Sequence, residues 1–197
     1  MTVGQFNKFW TSNFPDTIPI PHYFKRDYID RWFRIHSLPE SKRYAYNKQE
    51  WYILLDRQNK IITDILGDNS DIFIVTGDYT FDGYEELHPL EQVNSIGDMS
   101  FVSLEAIDLT KINPESYEPG QLYRPMFSKQ IWQPKKFDNL LKDIAVDKLR
   151  VFFVAIEKKV IAAPYDGGVD FILDNPETKD AFKAKYKDWL STRQDGF

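Results

Sequence analysis

Six polar side chains able to donate hydrogen bonds fall within ten positions, Arg34, His36, Ser37, Ser41, Lys42 and Arg43, in the run RIHSLPESKR. Such a set can grip a phosphate or carboxylate, the arginines supplying bidentate bonds and the hydroxyls completing the shell. The competing reading is a solvated loop whose arginines pair with the acidic stretch 78–118, since surface charge clusters are usually solvated or structurally paired. A second group, Tyr165, Asp166, Gly167, Gly168 and Asp170, surrounds a glycine turn. Carboxylates there, with Asp78 after a buried-type strand, do acid–base work if two converge with shifted pKa values. Turn formation by Asp166 and a solvent-facing strand position for Asp170 explain them equally well.

Other chemistries find less support. His22, His36 and His88 stand far apart in the chain, in neither an HxH nor an HExxH spacing, so no metal site is expected. The turn at Asp68 and Ser70 lacks the glycine and glutamate of a calcium loop. With no cysteine, thiolate zinc sites, disulfide scaffolds and cysteine nucleophiles are excluded. No GxSxG, P-loop or strand-following GxGxxG is present, so no nucleotide cofactor, or any other, is expected. Net charge is −5, and the one basic concentration, His22 to Arg43, sets six Lys or Arg against three acids, which argues against nucleic acid.

The elements that must position these residues are readable in part. A length of 197 residues fits one domain, 1–197, and 42% hydrophobic residues with 16% aromatic can bury a substantial core. Thr2 caps a short helix whose Phe6, Phe9, Trp10 and Phe14 recur at helical spacing. Pro15, Pro19 and Pro21 then force an extended passage, and Asp27 to His36 reads as a strand. Asn47 followed by Glu50 opens a long helix whose apolar face runs Trp51, Leu54, Leu55, Ile61, Ile62, Ile65 and Leu66, ended by Gly67. Ile72 to Thr76 is a buried-type strand, Tyr123 to Trp132 another, and Phe137, Leu140, Leu141 and Ile144 mark a further helix.

Val151 to Leu173 is the densest run of β-forming residues. Glu157-Lys158-Lys159 and Asp166-Gly167-Gly168 divide it into a three-stranded meander, the glycines there supplying positive φ. Val169, Phe171 and Leu173 give the last strand one apolar face, and Asp170 and Ile172 a mixed one. Asn175 and Pro176 then start a helix carrying Phe182, Tyr186, Trp189 and Leu190 on one side. The sum is an α+β fold, a mostly antiparallel sheet with three or four packed helices.

The segment YDGGVDFIL followed by the KYKDWL helix resembles the C-terminal part of a bacterial family known as domain of unknown function 3885. Members show a Tyr-Asp, glycine, Asp-hydrophobic segment before a Tyr-and-Trp helix, with a longer turn where this chain has Asp166-Gly167-Gly168. The resemblance covers about a quarter of the chain and implies a fold but no activity. RIHSLPESKRY is similar to a motif in related uncharacterised bacterial proteins.

Residues 78–118 hold ten acids against one lysine, with Pro89 and Pro114, and read as long surface loops. An acidic face of this kind suits a basic protein partner. The leading functional expectation is therefore a non-catalytic protein-binding module, toxin-neutralising in the manner of immunity proteins. The alternative is a small-molecule or phosphoester enzyme built on Arg34, His36, Ser37 and Arg43 and aided by Asp166. Neither a leader-like start nor eighteen consecutive apolar residues is found, so the expected setting is cytoplasmic, with no membrane partner.

Overall fold

The computed structural model describes residues 1–83 and 93–191. Helix α1, Val3–Asn13, begins at a capping box in which Thr2 and Gln5 satisfy each other's backbone amides. Helix α2, Pro21–Asp27, starts where proline is best tolerated, at the first helical turn. The expected extended passage therefore gives way to a helix at Pro21, and strand β1 is shorter than expected, Trp32–His36. Helix α3, Lys48–Leu66, opens on Asn47, whose side chain accepts from the Glu50 amide, and closes on Gly67 at φ +99°.

Then come β2 (Asp71–Phe81), β3 (Val102–Ser103), β4 (Ile107–Asp108), α4 (Leu109–Ile112), β5 (Gln121–Ile131), α5 (Asp138–Ala145), β6 (Val151–Ala155), β7 (Val160–Pro164), β8 (Gly168–Ile172) and α6 (Pro176–Lys185). Among the described residues all eight strands join one sheet in the order β1-β8-β7-β6-β2-β5-β3, with β4 also on β5, and every pair is antiparallel. The fold is thus α+β on an antiparallel sheet. Among the described residues four helices, α1, α3, α5 and α6, have eight residues or more, and α2 and α4 are shorter.

Both faces of the sheet are covered. Phe33, Ile35, Phe153 and Phe171 pack toward Ile61, Ile62, Leu141 and Ile144 of α3 and α5. Phe73, Val75, Phe152 and Ile172 pack on the other face toward Phe6 and Trp10 of α1 and Phe24 of α2. Strands covered twice have no reason to alternate, which is why VFFVA in β6 is apolar and buried at every position. In β8 the mixed face reduces to one residue, Asp170, since Ile172 is buried beneath the helices.

Two further differences have clear causes. Helix α6 stops at Lys185, with Tyr186 as its cap and a tighter turn over Lys187–Trp189, so Phe182, Trp189 and Leu190 end half-buried around a buried Tyr186. In the β7–β8 turn neither Gly167 nor Gly168 takes positive φ. Glycine is needed there for space: a Cβ on Gly168 would lie 1.9 Å from the Ile35 carbonyl oxygen, and one on Gly167 2.9 Å from the Tyr165 ring. Within the acidic segment, Glu85, Glu86, His88 and Glu91 lie outside the described residues.

Candidate functional site

The sheet creates a cavity by stopping short. The β2–β6 ladder ends at Thr76 opposite Val151, and beyond it β2 is paired with β5 alone, through Gly77, Asp78 and Tyr79. A space of about 570 Å³ opens between that protruding ribbon and the ends of β7, β8 and β1, roofed by the start of α2 and bounded by the α5–β6 loop. Its charged lining is Arg34, Arg43, Lys148 and Arg150 against Asp78, Asp147, Asp166 and Asp170, with His22, Tyr79, Tyr123 and Tyr165 between them.

At the β1–β8 end the charges are matched pairwise. Arg34 and Asp170 face each other across the ladder, and the guanidinium forks onto the carboxylate at 2.6 and 2.8 Å. The Tyr165 ring lies against the same guanidinium, 4.5 Å from its centroid. Burial opposes the charge on Arg34, but the bonds to Asp170 more than offset it and raise its pKa. Asp166, only 7% exposed, receives Arg43 Nε at 2.7 Å, Arg43 Nη2 at 2.6 Å and the Tyr44 hydroxyl at 3.0 Å. Arg43 itself is 65% exposed, so this pair sits at the cavity mouth.

The opposite end is a network of phenols around an imidazole. His22 places Nε2 3.2 Å from the Tyr117 hydroxyl and Nδ1 3.5 Å from that of Tyr79, and the Tyr23 hydroxyl donates to Tyr117 at 3.1 Å. Burial, then repulsion from Arg150 and Arg26, lowers the His22 pKa, so the ring is neutral at pH 7. Tyr79 and Tyr123 stack obliquely with centroids 5.1 Å apart. Gly77 allows this, because a Cβ there would come within 2.5 Å of the Arg124 carbonyl oxygen and 2.6 Å of the Tyr123 ring.

The loop of donors is thus divided by the fold. Arg34 and Arg43 reach the cavity together with Tyr165, Asp166 and Asp170. His36 is buried outside it, its pKa lowered by burial and by Arg34 and Arg57. Ser37 is buried as well and accepts from Gln58 Nε2 at 2.8 Å. Lys42 pairs with Glu50 at 2.5 Å, and Ser41 is exposed at φ +55°. Gly167 and Gly168 shape the turn. Among the described residues, cations on this loop meet Asp166, Asp170 and Glu50.

His22, Tyr79, Tyr123 and Arg150 did not stand out in the sequence as a set. The available signal was Gly77 inside a run of β-formers, a position that marks close backbone approach. Among the described residues no group of His, Asp or Glu is arranged to hold a metal ion, and no helix is long and apolar enough to cross a membrane.

Fold and site together define an α+β domain whose antiparallel sheet, covered on both faces, carries a polar cavity where one central strand ends early. The chain belongs to the family described as Domain of unknown function (DUF3885), whose model matches residues 20–194, far beyond the C-terminal segment that first suggested it. No curated protein and no solved structure matches the chain.

Proposed function

We propose that this protein is a binding domain that takes a small polar molecule into the cavity between β2, the β7–β8 turn and α2. The observation that carries this reading is the Arg34–Asp170 fork, held by strand register and stacked on Tyr165 in the cavity wall. Such a pre-ordered polar wall holds a ligand without first paying side-chain entropy. Asp166 and Asp170 spend their oxygens on arginines, which suits binding better than proton transfer. The enzyme built on Arg34, His36, Ser37 and Arg43 lacks support because two of its four residues lie outside the cavity lining.

A thermal-shift panel of phosphorylated, carboxylated, cationic and neutral polyhydroxylated metabolites tests the reading. A ligand at a hundredfold its dissociation constant adds about 2.7 kcal/mol of stability. Ala163 is buried in the cavity wall beside Asp170, so Ala163→Leu fills the space and abolishes the shift. A panel without a hit, or a shift that survives Ala163→Leu, defeats the proposal.

A second reading keeps the protein-binding module on the acidic segment. Asp82, Glu105, Glu115 and Glu118 are exposed, which favours a basic protein partner. Charge reversal at Glu105, Glu115 and Glu118 then slows association with that partner and flattens its salt dependence. An unchanged association rate counts against it.

A further inference from the structure

Of the four cations in the cavity lining, three have a carboxylate at close range. Arg34 has Asp170, Arg43 has Asp166, and Lys148 has Asp143 at 2.8 Å. Arg150 is held loosely: its carboxylate within reach is Asp147, at 4.0 Å, and both side chains are mostly exposed. Arg150 lies near enough to Tyr79, Tyr123 and His22 for its charge to act on all three, and so stands at the phenol end of the cavity. Asp78, the carboxylate on this side of the lining, is opposite Arg124 in the β2–β5 ladder.

Beside Arg150 is a second unspent donor. Tyr123 is 2% exposed and lines the cavity, yet its hydroxyl takes no hydrogen bond from the described residues. The hydroxyl is not among the fully buried polar atoms that lack a partner, so it opens onto the cavity and can donate there. Burial pushes the Tyr123 pKa far above its usual value, which keeps the hydroxyl protonated and able to donate. The Tyr79 hydroxyl adds a third polar group within the same wall.

We propose that Arg150 and the Tyr123 hydroxyl, with Tyr79 beside them, form the seat for an oxyanion, a carboxylate or phosphate carried by the molecule that enters the cavity. This deepens the binding-domain reading and rests on it. A guanidinium presents donors only and a protonated phenol adds one more, so an acceptor-rich oxyanion satisfies several at once. The matched pairs at the other end then hold the remainder of the ligand without competing for its charge.

Titration with inorganic phosphate and, separately, acetate at ionic strength held constant with chloride tests the seat. Melting temperature and the Arg150 side-chain NMR signal are both followed. At least one of the two anions gives saturable stabilisation and shifts Arg150. Arg150→Gln weakens that binding on the order of tenfold, as expected for a lost charged hydrogen bond. Tyr123→Phe keeps the ring and weakens binding several-fold, whereas Lys129→Gln, whose pair with Asp71 lies outside the cavity lining, leaves it within about twofold. Stabilisation no greater than with chloride, or equal affinity in Arg150→Gln, overturns the seat. If a neutral or cationic panel compound binds and is lost in Ala163→Leu while phosphate and acetate are silent, the oxyanion seat fails and the cavity reading stands. Silence of panel and anions alike removes both.

Discussion

The two ends of the cavity are built on different principles. At the β1–β8 end, Arg34 and Asp170 come from directly paired strands and Arg43 and Asp166 from the adjoining loop and turn, and the four satisfy one another at 2.6 to 2.8 Å. At the β2–β5 end they come from separate elements, the Arg150–Asp147 distance is 4.0 Å, and the Tyr123 hydroxyl goes without a partner among the described residues. A satisfied polar network rigidifies its surroundings, and an unsatisfied one retains capacity for something else. One end therefore serves as scaffold and the other as receiver, and a stability assay separates them.

The largest effect belongs to the glycines that let each end close. Gly168→Ala sets a Cβ 1.9 Å from a backbone oxygen of β1, which has no side-chain freedom to yield. Loss of about 4 kcal/mol is expected from denaturant unfolding, through separation of β1 from β8. Next comes Asp170→Asn, which leaves a mostly buried Arg34 without its counter-ion and costs about 3 kcal/mol. Gly77→Ala is the milder counterpart at the receiving end, about 2 kcal/mol, because the Tyr123 ring can move even though the Arg124 carbonyl cannot. If Gly77→Ala proved costlier than Gly168→Ala, the division into scaffold and receiver would be reversed.

Arg43→Gln sharpens the contrast inside the scaffold end. Its partner Asp166 is buried, but the guanidinium is out in solvent, and Tyr44 still donates to the carboxylate. The unfolding midpoint should therefore stay within error of the parent, in contrast to Asp170→Asn. A midpoint drop as large as that of Asp170→Asn would show that the mouth pair carries the scaffold too.

What the sequence disclosed follows the range of the forces involved. Caps are local, so Thr2, Asn47 and Asn175 marked three helix starts that the structure retains. The meander was equally plain, because doubly covered strands must be apolar throughout. Helix α2 was hidden by Pro21, which reads as a breaker unless the first helical position is known. The ribbon extension of β2 to Phe81 was hidden because Asp78 and Tyr79, paired on one side only, are not buried like the strand before them. The scaffold end was half legible: Arg34, Arg43, Tyr165, Asp166 and Asp170 were singled out, though as two separate groups. Their union depends on β1 lying beside β8, a long-range pairing that no local pattern encodes. The receiving end depends on four segments meeting where β6 begins, and only the neighbours Gly77 and Asp78 pointed to it.

The smallest expected effect is a titration with one reporter near each end. His22 sits in the phenol network, and His36 lies on β1 near Arg34 and Arg57. Burial first, then neighbouring cations, lowers both pKa values below 6.5. Since the folded state binds these protons more weakly than the unfolded one, their contribution is intact above pH 6.5 and is lost as pH falls from there through the depressed folded values. Unfolding free energy should thus decline gently on acidification before the carboxylates titrate, and His36→Asn and His22→Asn should each remove part of the slope. Phosphate or acetate seated at Arg150 neutralises a charge that depresses His22 and leaves the Arg34 and Arg57 charges on His36 untouched. The imidazole NMR titration of His22 should then move to higher pH on adding the anion that binds, with that of His36 stationary. Equal movement of both histidines would place the anion between the two ends and erase the distinction drawn between them.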